Sequence, residues 1–289
     1  MKAQLCIGLI LLSGMTATNA AVTYTGGTYS ENFDSLGAGP WVNNSTLHGW
    51  YAYRSTGIEV QPGRADDEWS TVGSSYSQNN GQGGGGLHSL GTSALSPARS
   101  LGSKSPASWD VAFAMILYND TSTTFTDFTL SYYGEQWQVN TILGSPSMKL
   151  DFTFGVFSSL NASATNANSV IPHNINDPDP FSRFNVGFTD PTGNALDVYA
   201  TQFDSTSMPL DGTAAQNRQL LSGTESVTWA PGQYLVLRWF DDYSGGTQAL
   251  LGINDLQFQA FAVPEPSRIV LAGFGFAFAC VARRRRSSL

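Results

Sequence analysis

Disulfides, paired histidines and basic charge are what this 289-residue chain is short of. Its two cysteines, Cys6 and Cys280, stand near the two ends, so the stretch 21–262 has none and no disulfide closes it. The three histidines, His48, His88 and His173, have no partner at metal-ligand spacing and form no HExxH pattern, and each reads as a loop residue. There is no GxSxG elbow and no cysteine nucleophile in the body. The glycines at 83–86 lack the lysine that a phosphate-binding loop needs. Lys and Arg total 14 against 22 Asp and Glu, a net charge of −8, and six of the bases (Lys2, Arg268, Arg283, Arg284, Arg285 and Arg286) fall outside 21–262. So acidic a body repels nucleic acid and anionic headgroups, which excludes nucleic-acid partners. It suits an extracellular setting.

What the body does have is β-forming residues. Thr, Val, Tyr, Phe and Trp are punctuated by Gly, Asn, Ser and Pro, and helical periodicity is scarce. In 125–133, Phe128, Leu130 and Tyr132 point one way while Asp127, Thr129 and Ser131 point the other. In 148–157, Leu150, Phe152, Phe154 and Val156 share a face. The stretch 234–240 is apolar on both faces, as a central strand would be. A closing strand at 250–261 has a kink or bulge near Asn254-Asp255, where the alternation slips. Segments 29–36 and 110–118 are further strands, and 77–86 and 158–180 are loops. The expected fold is all-β: a jelly-roll-like antiparallel β-sandwich, flanked by an N-terminal signal helix and a C-terminal transmembrane helix.

The two ends read as address labels. Lys2, an apolar run at 5–12 and Thr18-Asn19-Ala20 form a signal peptide over 1–20. At the other end, 263–289 carries Pro264, Glu265 and Pro266, an apolar run at 269–282, and the block Arg283, Arg284, Arg285 and Arg286. The prolines keep the motif extended and accessible. The arginines act as a topological stop that favours the cytoplasmic face. The run is 14 residues long, shorter than the about 20 a spanning helix takes, and snorkelling arginines and local thinning make up part of the difference. The order of the three parts resembles the PEP-CTERM sorting signal of Gram-negative bacteria. The resemblance implies exosortase as a processing partner, a membrane-tethered precursor, and delivery to the cell surface or extracellular matrix.

The body, 21–262, resembles the β-sandwich domains that precede such tails. The likeness rests on Glu31-Asn32-Phe33-Asp34-Ser35-Leu36, on Tyr132-Tyr133-Gly134-Glu135-Gln136-Trp137, and on Leu237-Arg238-Trp239 followed by Asp255. It implies a fold and an address, not a chemistry.

Three candidate sites follow from the residues. Glu135 beside Trp137 could serve glycoside hydrolysis if a second carboxylate faced it; the plainer reading pairs it with an arginine such as Arg238. A structural Ca²⁺ is the one cofactor to weigh. Glu31 or Asp34 would meet Asp255 if the first and last strands are neighbours, and Asp241-Asp242 form a second acidic turn; the alternative is solvated acids. Trp41, Trp50, Trp69 and Trp137 would stack on sugar rings if exposed, and are core anchors if not. Three function classes remain: a non-catalytic surface or matrix protein linked to exopolysaccharide or biofilm, a carbohydrate-binding module, and a glycoside hydrolase. The reading adopted is the first, with no enzymatic activity and polysaccharide as a partner.

Overall fold

The structure is a computed structural model that describes residues 21–55, 70–93, 95–139, 141, 148–160, 187–191, 193–242 and 248–262. The segments expected to be a signal peptide (1–20) and a sorting tail (263–289, with Pro264, Glu265, Pro266 and the four arginines) lie outside the described residues. So does Trp69. No helix among the described residues is long and apolar enough to cross a membrane.

The strands, in chain order, are β1 Val22–Tyr24, β2 Thr28–Glu31, β3 Trp50–Arg54, β4 Ser70–Thr71, β5 Tyr76–Asn79, β6 Gly86–Leu90 and β7 Ser100–Lys104. They continue as β8 Val111–Asn119, β9 Phe125–Gln138, β10 Lys149–Phe157, β11 Val198–Tyr199, β12 Arg218–Trp229, β13 Tyr234–Asp241 and β14 Leu250–Phe261. They form two seven-stranded sheets. One runs β11-β10-β13-β8-β3-β4 with β1 against β8; the other runs β12-β9-β14-β7-β6-β5 with β2 against β14. The expected β-sandwich is therefore present. It is not wholly antiparallel, because β1 pairs with β8 and β5 with β6 in parallel. The long strands β8, β9, β10, β12, β13 and β14 alternate between the two sheets, so segments distant in sequence become neighbours.

Period-2 alternation explains the layer between the sheets. Phe113, Met115 and Leu117 of β8, Leu237 and Trp239 of β13, Phe128, Leu130 and Tyr132 of β9, and Ile253, Leu256 and Phe258 of β14 all bury there. Trp239 stacks on Trp50 and on Phe113, each at 5.7 Å between ring centroids. The both-faces-apolar reading of 234–240 holds. Val236 joins Tyr51, Tyr53, Ala112, Ala114 and Ile116 in a second cluster on the far side of the first sheet.

The strands at 110–118, 125–133, 148–157, 234–240 and 250–261 are all found, whereas 29–36 shrinks to the four residues of β2. His88, read as a loop residue, lies buried in β6. Ser77 Oγ is 3.1 Å from its Nδ1 and the Gly84 carbonyl 3.0 Å from its Nε2, and burial pushes the imidazole down to about 4. That leaves it neutral at physiological pH.

Candidate functional site

The outer face of the second sheet has two halves of opposite character. At the β6-β7 end, Leu90, Trp137 and Leu250 form a small covered cluster. Leu210 N–H donates to the Trp137 carbonyl, which holds the 208–212 segment over that indole. At the β2-β12 end the face is open. Between them runs a chain of charges.

Glu135 begins that chain. Its side chain is fully buried, accepting hydrogen bonds from Ser100 Oγ and from Trp137 Nε1 at 3.0 Å, with Asn254 Nδ2 at 3.5 Å. Burial raises its carboxyl above the usual range, and the Ser100, Arg218, Trp137 and Asn254 interactions offset part of that. The cationic partner is Arg218, its register neighbour on β12, whose Nε is 3.1 Å from Glu135 Oε1. That nitrogen makes no hydrogen bond of acceptable geometry, so the attraction is ionic rather than directional.

Arg238 is not the partner. It is buried in the first sheet, where its Nε donates to Thr153 Oγ1 at 3.0 Å and its guanidinium lies 4.0 Å from the Phe188 ring centre. An acid–arginine pair could be expected from the sequence. Which arginine supplied it was a question of strand pairing.

Arg218 also donates from Nη2 to Asp255 at 2.7 Å and lies 3.5 Å over the Tyr133 ring, covering one of its faces. Asp255 reaches it because β14 carries a bulge between Asn254 and Gln257, the irregularity expected at that dipeptide. Asp255 itself adopts φ 49°, the left-handed conformation that Asp tolerates better than most side chains.

A cleft of about 280 Å³ opens beside Glu135 and Arg218, bordered by Asp197, Tyr199 and Gln216. A wider hollow of about 430 Å³ lies over Tyr133, Ser131, Gln257, Ser30, Leu220 and Asp255. Leu220 is 59% exposed. The sheet floor beyond it is polar and regular, since Ser, Thr and Gln alternate outward against Leu130, Phe128, Phe258 and Ala260 inward.

Trp41, Trp50 and Trp137, the three described members of the expected tryptophan platform, do not form one. They are 2%, 0% and 1% exposed, so no sugar ring reaches their faces. Trp41 donates to Asn43 Oδ1 at 2.6 Å and packs edge-on to Tyr76. Trp50 is stacked in the core, and Trp137 serves Glu135. Large indoles were recruited to fill a disulfide-free interior.

The acids proposed for Ca²⁺ are only partly brought together. Glu31 and Asp255 do border the same hollow, because β2 pairs with β14 and sets Glu31 against Leu256. Each already has a partner: Glu31 accepts from Phe33 N–H at 2.8 Å, and Asp255 accepts from Arg218. Asp34 instead accepts the Arg99 N–H at 3.0 Å. Asp241 is buried between the sheets, accepting from Ser103 Oγ at 2.7 Å, and Asp242 follows it at the end of β13. Among the described residues no group of three or more His, Cys, Asp or Glu is placed to hold a metal ion.

No protein-family model and no curated protein matches the chain. Among solved structures, the xylan-binding CBM22-1 domain of Paenibacillus barcinonensis Xyn10C is 13% identical with a TM-score of 0.33, covering 82% of this chain and 97% of that one. The K2 cleaved adhesin domain of Lys-gingipain is 12% identical with a TM-score of 0.35, covering 81% and 99%. TmCBM61, solved with β-1,4-galactotriose, is 6% identical with a TM-score of 0.24, covering 56% and 71%. These neighbours are carbohydrate-binding modules and an adhesin domain, and scores this low assign neither a family nor a ligand to the present chain.

Proposed function

We propose that this is an exported, non-catalytic protein of the cell surface or extracellular matrix, whose jelly-roll-like β-sandwich holds polysaccharide on the open half of its second sheet. The observation that carries the reading is the hollow over Tyr133, where one half-buried ring and an exposed Leu220 stand among Ser30, Ser131 and Gln257. Glycan sites combine an apolar surface for the sugar face with a few polar groups that fix the hydroxyls. A hydrolase is disfavoured because Glu135 is fully buried and engaged by Ser100, Trp137 and Arg218, while the acids that share its arginine or its cleft, Asp255 and Asp197, are themselves paired with Arg218 and Lys149.

The address comes from the ends of the sequence. A signal peptide at 1–20 starts export. Pro264, Glu265 and Pro266, with the apolar run and Arg283, Arg284, Arg285 and Arg286, give exosortase a membrane-tethered precursor to process. Two experiments test the proposal. Calorimetric titration of the purified full chain against a broad panel of polysaccharides should find at least one binder, and silence across the panel refutes the binding role. Separately, Glu265→Ala should leave unprocessed precursor in the cytoplasmic membrane; normal maturation refutes the sorting role.

A further inference from the structure

The floor of the open face is a two-dimensional array of short polar side chains built from four strands. Strand register sets Ser30, Gln257, Ser131 and Ser222 in one row, and Thr28, Gln259, Thr129 and Thr224 in the next. Neighbours in a row are about 4.8 Å apart and the two rows about 6.8 Å apart, so each row spans roughly 14 Å. None of the eight side chains is buried. Thr129 Oγ1 lies 3.5 Å from the Gln259 carbonyl; no other side chain of the eight bonds to a described residue.

All eight are uncharged, which is unusual for a sheet face in water, where lysine and glutamate ordinarily intersperse. Serine, threonine and glutamine each offer a donor and an acceptor, the same double capacity as a sugar hydroxyl. The charges nearby are acids. Asp127 stands in the next row, accepting from Thr126 and Ser226, and Glu31 and Asp255 border the hollow. The only cation in contact with this region, among the described residues, is Arg218, and it is committed to Asp255 and Glu135.

We infer that the array selects a neutral, extended polysaccharide laid across β2, β14, β9 and β12, and rejects polyanionic glycans. This rests on the glycan-binding reading above and adds the ligand's charge class, its path and the residues that read it. A polyanion would meet acids and, among the described residues, only a guanidinium already committed to Asp255 and Glu135, on a chain whose net charge is −8. A neutral chain loses nothing to that field and satisfies its hydroxyls on the two rows.

The test is titration of the purified full chain with xylan, galactan and glucomannan as neutral probes, alginate and hyaluronan as acidic ones, and chitosan as a cationic one. Neutral binding that changes less than twofold between 50 and 500 mM salt, and that weakens about tenfold in Gln257→Ala/Ser131→Ala, is the expected result. Gln257→Glu keeps the shape but removes the amide donors, and should weaken binding to a similar degree. Unchanged melting temperatures show that both variants fold. Binding to a neutral glycan that ignores these substitutions overturns the inference while leaving the binding role intact, as does binding confined to the acidic or the cationic probes. No binding to any probe overturns both.

Discussion

Arg218 on β12 stands opposite Glu135 on β9, with 3.1 Å between Nε and the buried carboxylate, and from the same guanidinium reaches Asp255 on β14 at 2.7 Å. One side chain thus ties three adjacent strands at the boundary between the covered and open halves of the sheet.

Arg218→Ala should therefore cost more than a surface substitution. It leaves Glu135 in a buried site with no cation, and removing one partner of a buried pair costs about 3 kcal/mol. Partial exposure of Arg218 lets water recover some of that. The double variant Arg218→Ala/Glu135→Gln should regain at least half of the loss in urea unfolding. If the double variant is no more stable than the single, the pair is not what stabilises this boundary.

Asp241 makes stability depend on pH. Burial, together with the Asp110 and Asp242 charges, pushes its carboxyl up to about 7, against opposing hydrogen bonds from Ser103 and Ser105. The folded protein then keeps a proton that the unfolded chain has released above about pH 4. The contribution is full below that value and falls as pH rises through about 7, a change on the order of 4 kcal/mol. Asp241→Asn should melt higher than the parent at pH 8, and the difference should shrink towards pH 5. A difference that is constant across this range rejects the assignment.

Trp239 is the centre of the inter-sheet layer, stacked between Trp50 and Phe113 and edge-on to Tyr132. Truncation to alanine should destabilise by about 3–5 kcal/mol, as for other buried aromatics. Trp239→Phe should lose clearly less, because the stack survives. Equal losses in denaturant titrations would mean that a phenyl ring recovers neither the packing nor the stack, which rejects this account of the site.

Gly102 and Gly252 face each other across β7 and β14. A Cβ at Gly102 would lie 2.3 Å from the Leu251 carbonyl oxygen and 2.9 Å from the Gly252 Cα, both backbone atoms that cannot swing aside. Gly102→Ala should cost roughly 1–3 kcal/mol through overpacking. Gly84→Ala, where nothing stands within 4 Å, should be near neutral and serves as the control. Indistinguishable melting temperatures for the two variants would deny the close approach.

Some of this was written plainly along the chain. The alternation of Phe128, Leu130 and Tyr132 against Asp127, Thr129 and Ser131 marked β9 and its two faces, and the slip at Asn254-Asp255 marked the bulge. β12 left no such trace. It pairs only with β9 in the second sheet, and Gly223, Glu225 and Val227 on its inward side are half-buried, so no apolar stripe announces it. With β12 unread, Arg218 could not be matched to Glu135, nor Ser222 and Thr224 added to the array. The tryptophans failed differently. An indole looks the same in sequence whether it stacks on a sugar or on Phe113, and only packing separates the two.

Composition thus settled the acidity of the body, and side-chain period settled the fold class and the two faces of strands such as β9 and β10, because that period depends only on residues within a few positions of one another. Lateral strand order is a property of contacts between segments far apart along the chain. It alone put Thr28, Thr129, Thr224 and Gln259 in one row and placed Arg218 beside Glu135. A strand's hydrogen-bonding edges carry no side chain to announce their partner, so that choice belongs to the assembled sandwich.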